Sequence, residues 1–237
     1  MQDSFFKKIT YTDGIYPVLK IEQIENPSKF YAFPIIGILA KTILLIPVVI
    51  EIAFLVIWLL VVAVVINPFM VFFGGKYWLH AHNASLAVFR LTAKVIFYIY
   101  GLTDKYPGFD FSLPPRLILD IPLNQNPNKI FAAPVIGGLA RGILLIPYMI
   151  FTNVVSQAAT IGVFLIAWIF VLFKGKYPDG LFELARDSVR VELATAAYML
   201  GLSDRYPSFY ISMSNDKIKL ILIAVVIILS SWNYSSK

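Results

Sequence analysis

The sequence predicts a mainly α-helical integral membrane protein made of a tandem duplicated unit, and three observations predict it. Of its 237 residues 59% are hydrophobic and only 14% charged, against roughly 45–50% and about 25% in an average soluble domain. Residues Ile52 to Phe73 form an apolar run interrupted only by Asn67 and Pro68, and roughly 20 such residues let a helix cross a bilayer core. Third, adding 100 to a residue number in the first half repeatedly returns the same residue in the second. A soluble fold is excluded by the first two observations. The third says how the apolar residues are organised.

The repeat keeps one register without a gap. Asn26-Pro27-x-Lys29 answers Asn126-Pro127-x-Lys129, and Ile43-Leu44-Leu45-Ile46-Pro47 answers Ile143-Leu144-Leu145-Ile146-Pro147. Gly75-Lys76-Tyr77 recurs as Gly175-Lys176-Tyr177, and Gly101-Leu102-Thr103-Asp104-Lys105-Tyr106-Pro107 as Gly201-Leu202-Ser203-Asp204-Arg205-Tyr206-Pro207. About thirty of roughly ninety positions are identical, which marks a duplicated structural unit. The predicted organisation is a first unit over residues 1–107, a second over 108–209 and a C-terminal membrane anchor over 210–237.

Each unit begins with a Pro-broken extended segment, Tyr16 to Ile24 or Phe111 to Leu123, suited to a short strand. After a turn at Asn-Pro, Ile35 to Ile46 and Val135 to Ile146 are short apolar helices holding one cation each, Lys41 or Arg141. Twelve residues rise only about 18 Å, so an interfacial helix ending at Pro47 or Pro147 is expected. The transmembrane helices proper are Ile52 to Phe73 and Val154 to Phe173. An amphipathic helix follows, Leu79 to Tyr100 or Leu181 to Leu200, with Arg90 and Lys94 or Glu183, Arg186, Asp187 and Arg190 at helical spacing. The two polar clusters are expected to pair with each other across the units, because unpaired arginine there would be costly. Gly101 and Gly201 sit where a C-capping glycine belongs. Ile218 to Leu229, flanked by Lys217, Lys219, Trp232 and Tyr234, reads as a terminal transmembrane helix.

Charge then sets topology. If both helices of a unit cross, the strands and the Asp-Lys/Arg-Tyr-Pro corners share the N-terminal side, which holds Lys7, Lys8, Lys20, Lys29, Lys105, Arg116, Lys129 and Arg205 among others. The opposite side holds Lys76, Lys174, Lys176 and Lys237. The asymmetry predicts a multi-pass protein with a cytoplasmic N-terminus and two parallel units, the strands meeting in one small cytoplasmic sheet. The N-terminus shows no signal-peptide pattern, so no cleavage is expected.

Several chemistries lack their residues. The chain has no cysteine, which removes disulfides, thiolate nucleophiles and Cys-ligated metals. His80 and His82 are the only histidines and fall short of the three or four ligands of a zinc site. The net charge of +6 is accounted for by basic residues flanking membrane segments, so no nucleic acid partner is expected. No nucleophile with its base, no phosphate loop and no cofactor motif is present, so neither enzyme activity nor a cofactor is expected.

The remaining polar residues are weighed against simple anchoring. Lys76, Tyr77, Lys176, Tyr177, Lys105, Tyr106, Arg205 and Tyr206 suit interface anchors or a lipid-headgroup site, since Tyr seats at the interface and Lys or Arg snorkels to phosphate. Glu51 is an intramembrane candidate by default, yet it precedes a run long enough alone and its counterpart is Phe151, which places it at headgroup depth. Asn153 and Gln157, with Ser156 and Thr160, make a polar stripe suited to a neighbouring helix or a partner protein.

The combined pattern of Leu-Leu-Ile-Pro, a long span, Phe-x-Gly-Lys-Tyr-Pro, an amphipathic helix with a central Arg and Asp-Arg-Tyr-Pro-x-Phe resembles the prokaryotic membrane family called domain of unknown function 4389. Leu144 to Phe209 is the fuller copy and Leu44 to Phe109 the more divergent one, departing at Trp78 for Pro178 and His80 for Gly180. The resemblance implies this architecture in a prokaryotic cytoplasmic (inner) membrane and carries over no activity. The expected function is that of a non-catalytic scaffold or accessory subunit of a membrane complex, with the bilayer and a protein as partners. The alternative is a small transporter or lipid-binding membrane protein.

Overall fold

The computed structural model describes residues 16–133, 135–212 and 217–235. Lys7, Lys8 and the side chains of Trp232 and Tyr234 lie outside the described part. The two extended segments each supply one strand, β1 (Val18–Ile21) and β2 (Leu117–Asp120). They pair antiparallel with Val18 opposite Asp120, Leu19 opposite Leu119 and Ile21 opposite Leu117. Leu19, Leu117 and Leu119 are buried beneath this small sheet.

A four-residue helix, α1 (Lys29–Ala32), precedes a rod of 39 residues, α2 (Ile36–Gly74). The second half has a matching rod, α4 (Ile136–Lys174), again of 39 residues. Both are long and apolar enough to cross a membrane. The expected break between an interfacial helix and a separate span does not occur. Pro47 and Pro147 lie inside continuous helices. Proline withdraws one N–H and crowds the carbonyl four residues back, but the other turns of a long apolar rod keep their bonds. The Tyr106 hydroxyl also donates to Leu44 O at 3.0 Å, just before Pro47. Each rod contains a widened π-helical stretch, Val61–Ile66 in α2 and Val163–Ala167 in α4.

The rods start from an unusual backbone. Ile35 and Val135 have φ of 69° and 66°, a region that β-branched residues avoid. Immediately beyond, a Cβ on Gly37 would stand 2.5 Å from Tyr31 O, and one on Gly137 would stand 2.2 Å from Phe131 O. Only glycine admits so close a turn against the preceding segment.

At their far ends the rods stop at Gly75 and Gly175, both in the left-handed conformation that closes a helix. The chain then returns as α3 (Leu79–Ile99) and α5 (Asp179–Met199), 21 residues each. Helix α5 is the centre of the molecule, with Leu184, Val189, Val191, Ala194 and Ala197 wholly buried. A last helix, α6 (Lys217–Ser235), lies over α4 and α5 and buries Leu222 and Val226. Ile43, Ile50, Phe54, Ile57 and Phe73 of α2, and Ile143, Ile150, Leu165 and Phe173 of α4, face outward.

The polar residues of α3 and α5 find partners elsewhere than expected. Among the described residues no bond joins the two clusters; Arg90, Lys94, Asp187 and Arg190 bind the extended segment that follows their own helix, while Arg186 pairs with Asp187 beside it. Lys94 donates to the Asp110 and Ser112 carbonyls, and Arg90 to Leu119 O at 3.2 Å. Arg190 donates to Tyr210 O, and Asp187 accepts from Ser212 N. The reason is proximity, since the chain doubles back over the helix it has just left. Lys219, fully buried on α6, reaches Ser212 O and lies 3.5 Å from Glu183.

Candidate functional site

A buried cation marks the beginning of each rod. In α4 the Arg141 guanidinium donates to Tyr198 O at 2.8 Å, Ser203 O at 2.9 Å and Phe131 O at 3.4 Å, and forms an ion pair with Asp204 Oδ1. It lies over the Phe131 and Tyr198 rings, 5.2 and 5.0 Å from their centroids. The other carboxylate oxygen of Asp204 accepts from Asn128 N and Asn124 Nδ2, both at 2.7 Å. All three guanidinium nitrogens and both carboxylate oxygens of this pair have partners, as a buried pair requires. The guanidinium also stands at the carboxyl end of α5, where the helix carbonyls favour positive charge.

Lys41 occupies the matching place in α2. Its Nζ lies 5.5 Å from the Tyr31 ring centroid and 5.2 Å from that of Tyr98, beneath Gly101. Asp104 accepts Ser28 N at 2.6 Å and acts on Lys41 through space, without the direct contact that the longer guanidinium makes in the second half.

Each cation faces a cleft walled by the rod of the other half. Above Arg141 the cleft measures about 600 Å³ and is lined by Leu60, Val64 and Phe69 of α2 together with Phe131 and Leu139. Beside Lys41 the corresponding space is only about 50 Å³, closed by Phe164, Trp168 and Val171 of α4. The arrangement is reciprocal, and the two clefts differ in how far they are filled.

The residues singled out from the sequence fall in separate places. Lys76 and Lys176 are exposed, and Lys176 pairs with Asp179 at 3.1 Å. Tyr77 and Tyr177 are not surface anchors: both are buried, because the left-handed glycine turns the chain inward. Tyr177 donates to Tyr100 O at 3.3 Å, and its own carbonyl accepts from Gln23 at 2.5 Å. Burial pushes the hydroxyls of Tyr77 and Tyr177 up. Lys105 and Tyr106 border a loop cleft of about 720 Å³ beside Arg116. Arg205 is exposed, while Tyr206 packs on Tyr148, Tyr198 and Phe209.

Glu51 lies inside a continuous helix and not ahead of one. It lies about 22 Å along α2 from Ile36 by the helical rise, with Oε2 buried and the charge of Lys94 acting nearby. Asn153 and Gln157 are exposed at the middle of α4, the Gln157 amide donating to Asn153 Oδ1. They border an open groove of about 610 Å³ with Ser156, Thr160 and Glu192.

Sequence reasoning missed the Arg141–Asp204 pair and its Lys41–Asp104 counterpart. The signal was present, since a basic residue in an apolar helix and an aspartate recur 63 positions apart in both halves.

Fold and site together define a mainly helical protein with two helices apolar and long enough to span a membrane. Residues 138–210 match the family described as a domain of unknown function (DUF4389), in one copy. That stretch contains both Arg141 and Asp204. No curated protein and no solved structure matches the chain.

Proposed function

We propose that the chain is a non-catalytic integral membrane protein of the prokaryotic cytoplasmic membrane, built from two copies of one unit and serving as a scaffold or accessory subunit of a membrane complex. One observation carries this reading: Arg141, Lys94, Arg190 and Lys219 each bond to carbonyls or carboxylates of their own chain. Cations bound in this way hold the chain together and are not themselves available to a passing solute.

The register of the sheet supports the duplication. Opposed residues of an antiparallel pair are related by a local twofold axis, and Leu19 and Leu119 are equivalent positions of the sequence repeat. The reciprocal clefts obey the same relation, because a twofold interface makes each partner contact the other in the same way.

The sheet also constrains topology. With α2 crossing the bilayer, β1 and β2 can pair only if α3 crosses back, and its 21 residues rise about 31 Å, the thickness of the hydrocarbon core. The Tyr16 hydroxyl donates to Arg205 O at 2.6 Å, which brings the chain after α5 to the same side. Lys20, Lys29, Arg116, Lys129 and Arg205 belong to that side, and the positive-inside bias supports its being cytoplasmic. The more polar α3 and α5 then run inside, screened by α2, α4 and the C-terminal anchor.

Purification from native membranes in mild detergent tests the scaffold. A stoichiometric partner is expected; solute movement by the purified chain in liposomes would overturn it. The cleft of about 600 Å³ favours one second reading, in which an acyl chain lies along Leu60, Val64 and Leu139. Leu60→Trp would fill that space, and native mass spectrometry should then lose any co-purified lipid.

A further inference from the structure

Helix α4 differs from α2 on one face. Asn153, Ser156, Gln157 and Thr160 of α4 correspond to Ala53, Val56, Ile57 and Leu60 of α2. Asn153, Gln157 and Thr160 are exposed, and they lie at the midpoint of a 39-residue rod. The groove they border is completed by Glu192 of α5, whose carboxylate accepts from Ser156 at 2.5 Å, while Thr152 bonds to Thr195 at 3.2 Å and Thr160 to Tyr100 at 3.2 Å. Resting on the membrane reading above, this stripe faces hydrocarbon, level with Thr195 and Glu192 of α5. Amide and carboxylate groups at that depth require partners.

We propose that the stripe is the contact between two copies of this chain, which pair through α4 as a closed dimer. The chemistry is self-complementary. Each amide both donates and accepts, so the Asn153 N–H and the Gln157 carbonyl left over from their mutual bond can serve the same groups of a second copy. The second copy also brings amide donors to Glu192, which accepts from the Ser156 hydroxyl in this groove. Depth matching follows without further conditions, because two copies inserted with one topology carry the stripe at the same level.

The asymmetry of the chain explains why assembly stops at two. A chain with twofold internal character and a polar stripe on both rods would link end to end into filaments. Here Ala53, Ile57 and Leu60 leave the first rod apolar on the equivalent face, so one contact saturates the stripe.

The absence of cysteine makes the test direct. The full chain is reconstituted in phospholipid vesicles as single-cysteine variants, and carbonate extraction first confirms that it stays in the membrane; release at that step would refute the membrane reading instead. Oxidation should crosslink Gln157→Cys into a homodimer and leave Ile57→Cys monomeric. Energy transfer between labelled copies should report dimerisation about tenfold weaker in N153L/Q157L, from the usual worth of polar contacts between membrane helices. Copying the stripe onto the first rod with A53N/I57Q should extend dimers into longer oligomers, and this variant disturbs no buried residue. Monomers at every protein-to-lipid ratio, transfer indifferent to N153L/Q157L, equal crosslinking at position 57, or crosslinking of Gln157→Cys in native membranes only to a different protein would each overturn the proposal.

Discussion

Leu19 stands directly opposite Leu119 in the two-stranded sheet, the same residue type 100 positions further along the chain. A shift of pairing by one residue would turn every side chain to the other face, and the buried Leu19, Leu117 and Leu119 forbid it. The sheet is small, yet it fixes how the two halves are turned relative to each other. The ion pairs and clefts inherit that relation.

The Arg141–Asp204 pair should dominate stability among the polar contacts. Removing one partner of a buried pair costs about 3–5 kcal/mol, so Asp204→Ala should lower the thermal midpoint in detergent by many degrees. Asp104→Ala should cost less, since Asp104 acts on Lys41 only through space. Equal losses would contradict the difference between the two sites.

Gly137 and Gly138 offer a contrast within one turn of helix. A Cβ at Gly137 would meet Phe131 O at 2.2 Å, whereas one at Gly138 meets nothing within 4 Å. Gly137→Ala should therefore destabilise by about 1–3 kcal/mol through overpacking. Gly138→Ala should be neutral or add up to about 1 kcal/mol by helix propensity. Thermal unfolding of the two purified variants decides it.

Topology can be read from single cysteines without altering any native thiol. Glu25→Cys and Gln125→Cys, both exposed near the strands, should react with an impermeant maleimide from one face of the membrane. Lys76→Cys and Lys176→Cys should react from the other. Labelling of positions 25 and 125 from opposite faces would refute the return of α3 across the bilayer.

Alkali should unfold the protein through buried tyrosines. Burial raises the hydroxyls of Tyr16, Tyr77 and Tyr177 above their ordinary value. The fold then holds protons that the unfolded chain releases near pH 10, so stability is intact below about pH 10 and falls as pH rises beyond it. Ultraviolet titration should find a group of tyrosines ionising only together with loss of helix. Smooth ionisation of all tyrosines with the helix retained would count against this burial.

Local patterns were legible in the sequence where one stretch of chain decides the outcome. The amphipathic spacing from Leu79 gave a helix ending within a residue of Ile99, and the Pro-bounded segments gave strands at Val18–Ile21 and Leu117–Asp120. Pro47 and Pro147 misled because proline ends helices in water, while in a rod of this length the cost of one lost bond is outweighed by the turns on either side. The inward setting of Tyr77 depended on the left-handed Gly75, which composition does not reveal. Arg141 and Asp204 are joined only by the return of the chain along α5, so no helical or strand periodicity could bring them together.

The widened turns in the two rods have a geometric consequence. An α-helix advances about 100° per residue, and a π-turn absorbs an extra residue without breaking the helix. Each rod is thus rephased partway along its length. Before the turn, Leu45 and Val48 of α2 pack on Leu91, Val95 and Tyr98 of their own half. Around and beyond the turn, Leu59, Val62, Ala63 and Val71 belong to the larger core that takes in buried residues of α3, α4 and α5. One continuous helix thus contributes to two clusters of buried side chains, and the widened turn lies close to the change from one to the other.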